Sequence, residues 1–278
     1  MVIQQLRIAL IKNIRIYLIE SWALGMFMIS ASLFVIILEY PLSPIRQLID
    51  DSLLRRFFIG LAMGLTAIIL IYSRWGKQSG AHMNPAVTLS FYMLNRISWQ
   101  DAFWYILFQF MGGYFGILLL KWTLFTYISS PTVNYVVTVP GQQSFFTVFS
   151  MEFLLSVIII LVVLFSSNST KTAAFTGYFV GVLLVLFITV EAPFSGMSIN
   201  PARTVASALV ANEWQGWWLY FISPISGMLL AAFLFRAWFR SNNNGDCTSM
   251  SMHLSGYKYD CATYNVLGPK HLLENYNV

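Results

Sequence analysis

The residues with most chemistry to offer are two asparagines. Asn84 lies in "SGAHMNPAVT", which begins at Ser79, and Asn200 lies in "SGMSINPART", which begins at Ser195. Both stretches read Ser-Gly-x-x-x-Asn-Pro-Ala-x-Thr. Asparagine is favoured at a helix N-cap, and proline at the first helical position, where its missing N–H would have no partner anyway. Asn84-Pro85-Ala86 and Asn200-Pro201-Ala202 are therefore each expected to open a helix, over 84–94 and 200–210. An asparagine whose side-chain oxygen caps its helix leaves an amide NH₂ to donate elsewhere. A helix N-terminus also carries about +0.5 of an elementary charge. Two such ends facing one point would bind a passing oxygen atom and oppose a cation or proton. A single Asn-Pro at a membrane surface would read as an ordinary turn. A repeat in one frame, each copy followed by a short helix, argues against that.

Other polar residues stand in equally apolar surroundings. Glu20 in "IRIYLIESWALGMF" and Glu152 in "TVFSMEFLLSVI" precede the two phrases. Buried carboxylates of this kind mark transport pathways or are tied to backbone. An ionised carboxylate accepts hydrogen bonds only, so it suits orphan amides, and bracing is the favoured role. Arg203, three residues past Asn200, is costly in such a segment and is expected to face a cavity. The stretches Ser79, Gly80, Ala81, His82 and Ser195, Gly196, Met197, Ser198 would then be extended backbone at membrane depth, with carbonyls along a lumen. His82 would either contact that lumen or pack against neighbouring chain. No nucleophile–base pair or metal-ligand spacing stands out. Cys247, Cys261, His253 and His271 fit no zinc pattern. No cofactor, no metal and no enzyme activity are expected.

The elements that must position these groups follow from composition. Of 278 residues 58% are hydrophobic and 10% charged, whereas soluble domains carry about a quarter charged residues. The surface must therefore face lipid. Six segments are long and apolar enough to cross the bilayer, roughly 16–38, 55–73, 102–125, 145–166, 174–191 and 215–237. The first is read as a retained helix, since its apolar run is too long for a signal core. With the N-terminus inside, eleven Lys and Arg fall on the inner side and four (Arg46, Arg55, Arg56 and Lys121) outside. That bias places both termini in the cytoplasm. The net charge of +5 thus reports topology and not a nucleic-acid partner.

The phrases follow the second and fifth segments. "LFQFMGGYFG" and "FISPISGMLL" match in the third and sixth, where Gln109 pairs with Pro224 and Gly112 with Gly227. The chain is then two halves of three spans, the second inverted because three is odd. The expected fold is all-α: six transmembrane helices plus two re-entrant half-helices, each about eleven residues or ~16 Å. The expected organisation is a cytoplasmic N-terminus (1–15), a first half (16–125), an extracellular connection (126–144), a second half (145–237) and a polar cytoplasmic tail (238–278).

The two Asn-Pro-Ala boxes, the "SGAH" lead-in, Arg203 and the paired acids resemble the aquaporin, or major intrinsic protein, family over residues 16–237. The resemblance implies a multi-pass protein of the cell membrane, a homotetramer with one pore per subunit, passing water and small neutral solutes. It also implies that Glu20, Glu152 and Gln109 are structural braces. The narrowest ring would be formed by Met63, Ile188, Met197 and Arg203. Strict water channels of the family commonly have a histidine where Ile188 falls and an aromatic where Met63 falls, so this ring is poorer in donors. Glycerol-conducting members commonly have Asp where Thr204 stands, whereas Tyr220 and Phe221 resemble the water-selective branch. The resemblance therefore implies water plus solutes such as glycerol or urea. A glycerol-facilitator-like channel with little water preference, a junctional protein on the same fold and an ion-coupled transporter are the alternatives.

Overall fold

A computed structural model describes residues 2–242; the cysteines and His253 and His271 of the tail lie outside the described residues. Twelve α-helices follow in order: α1 (Val2–Glu39), α2 (Pro44–Leu48), α3 (Ser52–Tyr72), α4 (Gly76–Ser79), α5 (Pro85–Met93), α6 (Trp99–Thr123), α7 (Phe125–Ile128), α8 (Phe145–Ser167), α9 (Thr176–Val190), α10 (Ala192–Ser195), α11 (Pro201–Ala211) and α12 (Leu219–Asn242). Six spans are long and apolar enough to cross a membrane: α1, α3, α6, α8, α12, and α9 together with the 3-10 turn before it (Ala173–Val190). Their apolar residues lie on all sides, as expected when lipid replaces water around the bundle. Leu24, Met28 and Ile160 are fully buried, while Leu65, Ile69, Phe115 and Leu154 are exposed.

Local chemistry sets the starts of the spans. Asp51 caps α3 by accepting from the amides of Leu53 and Leu54. Ser98 caps α6 through the amide of Asp101, and Ser144 caps α8 through that of Thr147. Each such cap stabilises its helix by about 1 kcal/mol.

The packing pairs repeat across the two halves. α1 lies on α6 as α8 lies on α12, and α3 pairs with α9, its own counterpart. The half-helices cross over: α11, from the second half, packs on α6 of the first, and α5 packs on α12. This exchange interlocks the halves into one bundle. Glycines permit the closest contacts. A Cβ on Gly112 would overlap the carbonyl oxygen of Ser21 on α1, and one on Gly227 would lie 2.6 Å from the carbonyl oxygen of Phe153 on α8. Close backbone approach over small residues is how helices gain contact where lipid offers no hydrophobic drive.

Two expectations need correction. α1 begins at Val2, not near residue 16, because its first turns are held along α6. Trp104 donates to the carbonyl of Leu6 at 3.0 Å, and Asp101 accepts from Asn13 at 2.9 Å and from Tyr17 at 2.6 Å. At 38 residues the helix is ~57 Å long, well beyond the ~30 Å of hydrocarbon. The stretches before the asparagines are not simply extended. α4 and α10 each end on a left-handed glycine, Gly80 (φ +88°) and Gly196 (φ +85°). Ala81, Met83, Met197 and Ile199 then also take positive φ, between 46° and 49°. The connection 126–144 contributes Val133, Val136 and Val137 to the cavity between the halves.

Candidate functional site

Asn84 and Asn200 are the N-caps of α5 and α11. The Oδ1 of Asn84 accepts from the amide of Ala86 at 2.9 Å, and that of Asn200 from the amides of Ala202 and Arg203 at 3.0 and 3.3 Å. Their Nδ2 groups were expected to be wholly free, but each spends one N–H on the opposite loop. Asn84 donates to the carbonyl of Ile199, and Asn200 to that of Met83, both at 2.7 Å. An amide nitrogen carries two hydrogens, so one remains on each.

The two carboxylates hold the loops that end in these asparagines. Glu20 and Glu152 are fully buried. Glu20 accepts from the amides of His82 (3.0 Å) and Met83 (2.7 Å), and from the side chain of Gln109 (2.8 Å). Glu152 accepts from the amides of Ser198 (2.8 Å) and Ile199 (2.6 Å), and from the hydroxyl of Ser195 (2.8 Å). Each carboxylate fixes the two amides just before its asparagine. This anchoring accounts for the positive φ at Met83 and Ile199, a conformation that costs about 1–2 kcal/mol for residues with a Cβ.

A cavity of about 380 Å³ lies between the halves. Its wall runs along α3 from Arg56 to Ile71 and along α9 from Ile188 to Thr176. The fifteen-residue interval on α3 corresponds to ~22 Å. Asn84 and Asn200 line it, as do Gly80, Ala81, His82, Gly196, Met197 and Ser198 of the loops that precede them. Met63, Ile188 and Arg203 line it as well. Gly64, the neighbour of Met63, faces away: a Cβ there would lie 2.6 Å from the carbonyl oxygen of Gly181.

Some expected lining residues lie behind the wall. Ser79 and Ser195 are buried outside the cavity. Their carbonyls accept from the hydroxyls of Tyr105 (2.8 Å) and Tyr220 (2.5 Å), behind the cavity wall. Pro85, Ala86, Pro201 and Ala202 are buried in the first turns of their half-helices. Gln109 also stands behind the wall, bridging Glu20 and the hydroxyl of Thr88. The ring nitrogen Nδ1 of His82 lies 3.1 Å from the same hydroxyl, and the ring stacks on Phe91. His82 thus both lines the cavity and packs on the loop.

Several contributors were missed in the sequence. Thr138, in the connecting segment, accepts a hydrogen bond from Nη1 of Arg203, and nearby Val137 lines the cavity. No sequence pattern points to that contact. Arg56 had a signal: it precedes Met63 by seven residues, nearly two full turns, so both lie on one helix face. The repeated threonine of the phrase had one too. Thr88 bonds to His82, and Thr204 lies 2.6 Å from the hydroxyl of Ser198. Tyr105 and Tyr220 lie 115 residues apart, the same interval as Gly112 and Gly227. Among the described residues no group of three or more His, Cys, Asp or Glu is placed to hold a metal ion.

These features define a polytopic α-helical membrane protein, an inverted repeat closed around one cavity. Residues 8–235 match the family model described as major intrinsic protein. The chain belongs to that family. A probable aquaporin of NIP type from Nicotiana alata is 33% identical over 184 residues, 64% of this chain and 64% of that protein. A glycerol uptake facilitator protein-like 6 from Lactiplantibacillus plantarum is 33% identical over 186 residues, 64% of this chain and 83% of its own length. The match spans just under two thirds of the length of several plant relatives. The X-ray structure of the aquaglyceroporin from Plasmodium falciparum has the same fold, with a TM-score of 0.65 over 82% of this chain and 95% of that one at 18% identity.

Proposed function

We propose that the chain is a passive membrane channel conducting water and other small uncharged solutes, of the size of glycerol or urea, while excluding ions and protons. The observation that carries this reading is the meeting of two asparagine-capped helix N-termini at the wall of one cavity. Each end presents positive potential to the lumen. Each asparagine also has one N–H not used in the cross-loop bond, which can hold the oxygen of a neutral permeant. A cation meets the same positive ends with no acceptor cage to replace its water.

In this reading Met63, Ile188, Met197 and Arg203 form the selective constriction, and Thr138 orients the arginine. Three of the four side chains are apolar, which favours the carbon face of a polyol. The name of the Lactiplantibacillus relative, a glycerol uptake facilitator, supports including glycerol. A glycerol-facilitator-like channel with little water preference is therefore the second reading. The end of the cavity at Arg203 would face the outside, the chain termini the cytoplasm of a cell membrane, and four subunits would assemble with one pore each.

Stopped-flow osmotic shrinkage of proteoliposomes, under impermeant, glycerol and urea gradients, tests this. Water permeability above that of bare lipid, with a lower activation energy, is expected, as is measurable glycerol flux. Permeability and activation energy equal to those of bare lipid would overturn the channel reading.

A further inference from the structure

Four methionines, Met63, Met83, Met197 and Met228, line the central cavity. Two of them belong to the ring proposed above and are closed to the outer surface: Met63 is 2% exposed and Met197 5%. Met28 on α1 is as deeply buried, at 0%, but it packs within an apolar cluster and does not line the cavity. Met26 and Met111 are exposed on the outside of the bundle. The methionines thus sample three environments, and a reagent that arrives through the cavity meets Met63 and Met197 but not Met28.

A thioether packs as an apolar group, yet its sulfur accepts one oxygen atom from a peroxide. In that step the sulfur lone pair forms the S–O bond and the peroxide O–O bond breaks. Sulfur loses two electrons; the other peroxide oxygen gains them, takes the remaining proton and leaves as water. The product, methionine sulfoxide, carries a polar acceptor where the side chain had none. Hydrogen peroxide is neutral and little larger than water, so a passage that admits glycerol-sized solutes also admits it. The oxygen it leaves behind occupies room at the ring. Reductases reverse this oxidation elsewhere, but a folded enzyme cannot enter a cavity of about 380 Å³, so the sulfoxide persists while the chain stays folded.

We propose that Met63 and Met197 are oxidation sites that close the passage: hydrogen peroxide reaches them along the cavity, converts their thioethers to sulfoxides, and the added oxygens narrow the ring. The loss of flux rests on the channel reading above; which methionines are oxidised is measured independently of it.

The test uses the purified full chain in liposomes. Hydrogen peroxide is the probe, and cumene hydroperoxide, also neutral but lipid-soluble and too bulky for the cavity, is the control. Peptide mass spectrometry reads the oxidised fraction at each methionine. Under hydrogen peroxide, Met63 and Met197 should oxidise about tenfold faster than the equally buried Met28, since access decides the rate. Under cumene hydroperoxide, Met26 and Met111 should oxidise while Met63 and Met197 do not. As the two sulfoxides form, osmotic water flux of the wild type should fall about twofold or more, the added oxygen being polar and space-filling. The double substitution Met63→Leu, Met197→Leu conserves volume; scored against its own untreated flux, it should lose much less. Oxidation of Met63 and Met197 no faster than Met28, in protein that keeps its unfolding midpoint, would overturn the proposal. An equal fractional loss of flux in wild type and the folded double variant would do the same. Should the double variant not fold, Met197→Leu alone takes its place and should lose less of its flux than the wild type. Should untreated wild type pass no more water than bare lipid, the channel reading fails and the mass spectrum alone decides: oxidation of Met63 and Met197 ahead of Met28 keeps the sites, and equal rates remove them.

Discussion

Asn84 and Asn200 are each hydrogen-bonded to the residue before the other. Nδ2 of Asn84 donates to the carbonyl of Ile199, and Nδ2 of Asn200 to the carbonyl of Met83, both at 2.7 Å. The two half-helices are thereby clasped tip to tip. The same side chains cap their own helices through Oδ1. One amide thus positions two helices and still retains a donor.

Asn84→Asp should break this clasp while keeping the cap. A carboxylate accepts from the amide of Ala86 as before, but it then opposes the carbonyl of Ile199, acceptor against acceptor. A loss of about 1–3 kcal/mol is expected for the missing buried bond, together with lower water flux. Thermal unfolding in detergent and stopped-flow shrinkage measure the two effects. Well-folded protein with wild-type stability and flux would show that the asparagine donor does nothing.

Glu152→Gln should be worse than its small change in shape suggests. The carboxylate receives three hydrogen bonds, from Ser198, Ile199 and Ser195, and a glutamine offers one acceptor oxygen. At least one buried amide is then unsatisfied, at about 1–3 kcal/mol. The strained backbone at Met197 and Ile199 also loses its anchor. Reduced folding yield and a lowered unfolding midpoint are expected. A variant as stable as the wild type would argue that the loop holds its shape unaided.

Replacing Gly112 by alanine tests the packing beneath the site. The added Cβ would collide with the carbonyl oxygen of Ser21, so α1 and α6 must separate, at a cost of about 1–3 kcal/mol. Gly227→Ala, at the related place in the second half, should destabilise less, because its nearest contact is 2.6 Å from the carbonyl of Phe153. Comparing the two unfolding midpoints checks the order.

Ile188→His should lower the ratio of glycerol to water permeability. It adds a donor and bulk to a wall in which Ile188 and Met63 are apolar and face one cavity. Arg203→Val should act in the opposite direction, and removal of the fixed charge should increase proton or cation leak. The permeability ratio of wild type and both variants is the measurement. An unchanged ratio in folded Ile188→His would remove that residue from the constriction.

Much of this architecture was legible in one dimension. Cap chemistry is local, so Asn-Pro announced the starts of α5 and α11 within a residue of where they lie. The repeated phrase and the paired glutamates revealed two related halves, and three spans per half required inversion. What could not be read depends on atoms far apart in the chain. Left-handed φ at Ala81, Met83, Met197 and Ile199 runs against the local preference of residues with a Cβ; carboxylates on α1 and α8 anchor these loops from more than forty residues away. Thr138 meets Arg203 across 65 residues, from a segment with no periodicity to interpret. The first turns of α1 look like a polar lead-in until Asp101 and Trp104 of α6 hold them in place. Local propensity and repetition specify elements and their symmetry. The lumen is made where those elements meet, by side chains whose partners only the folded chain brings within hydrogen-bond reach.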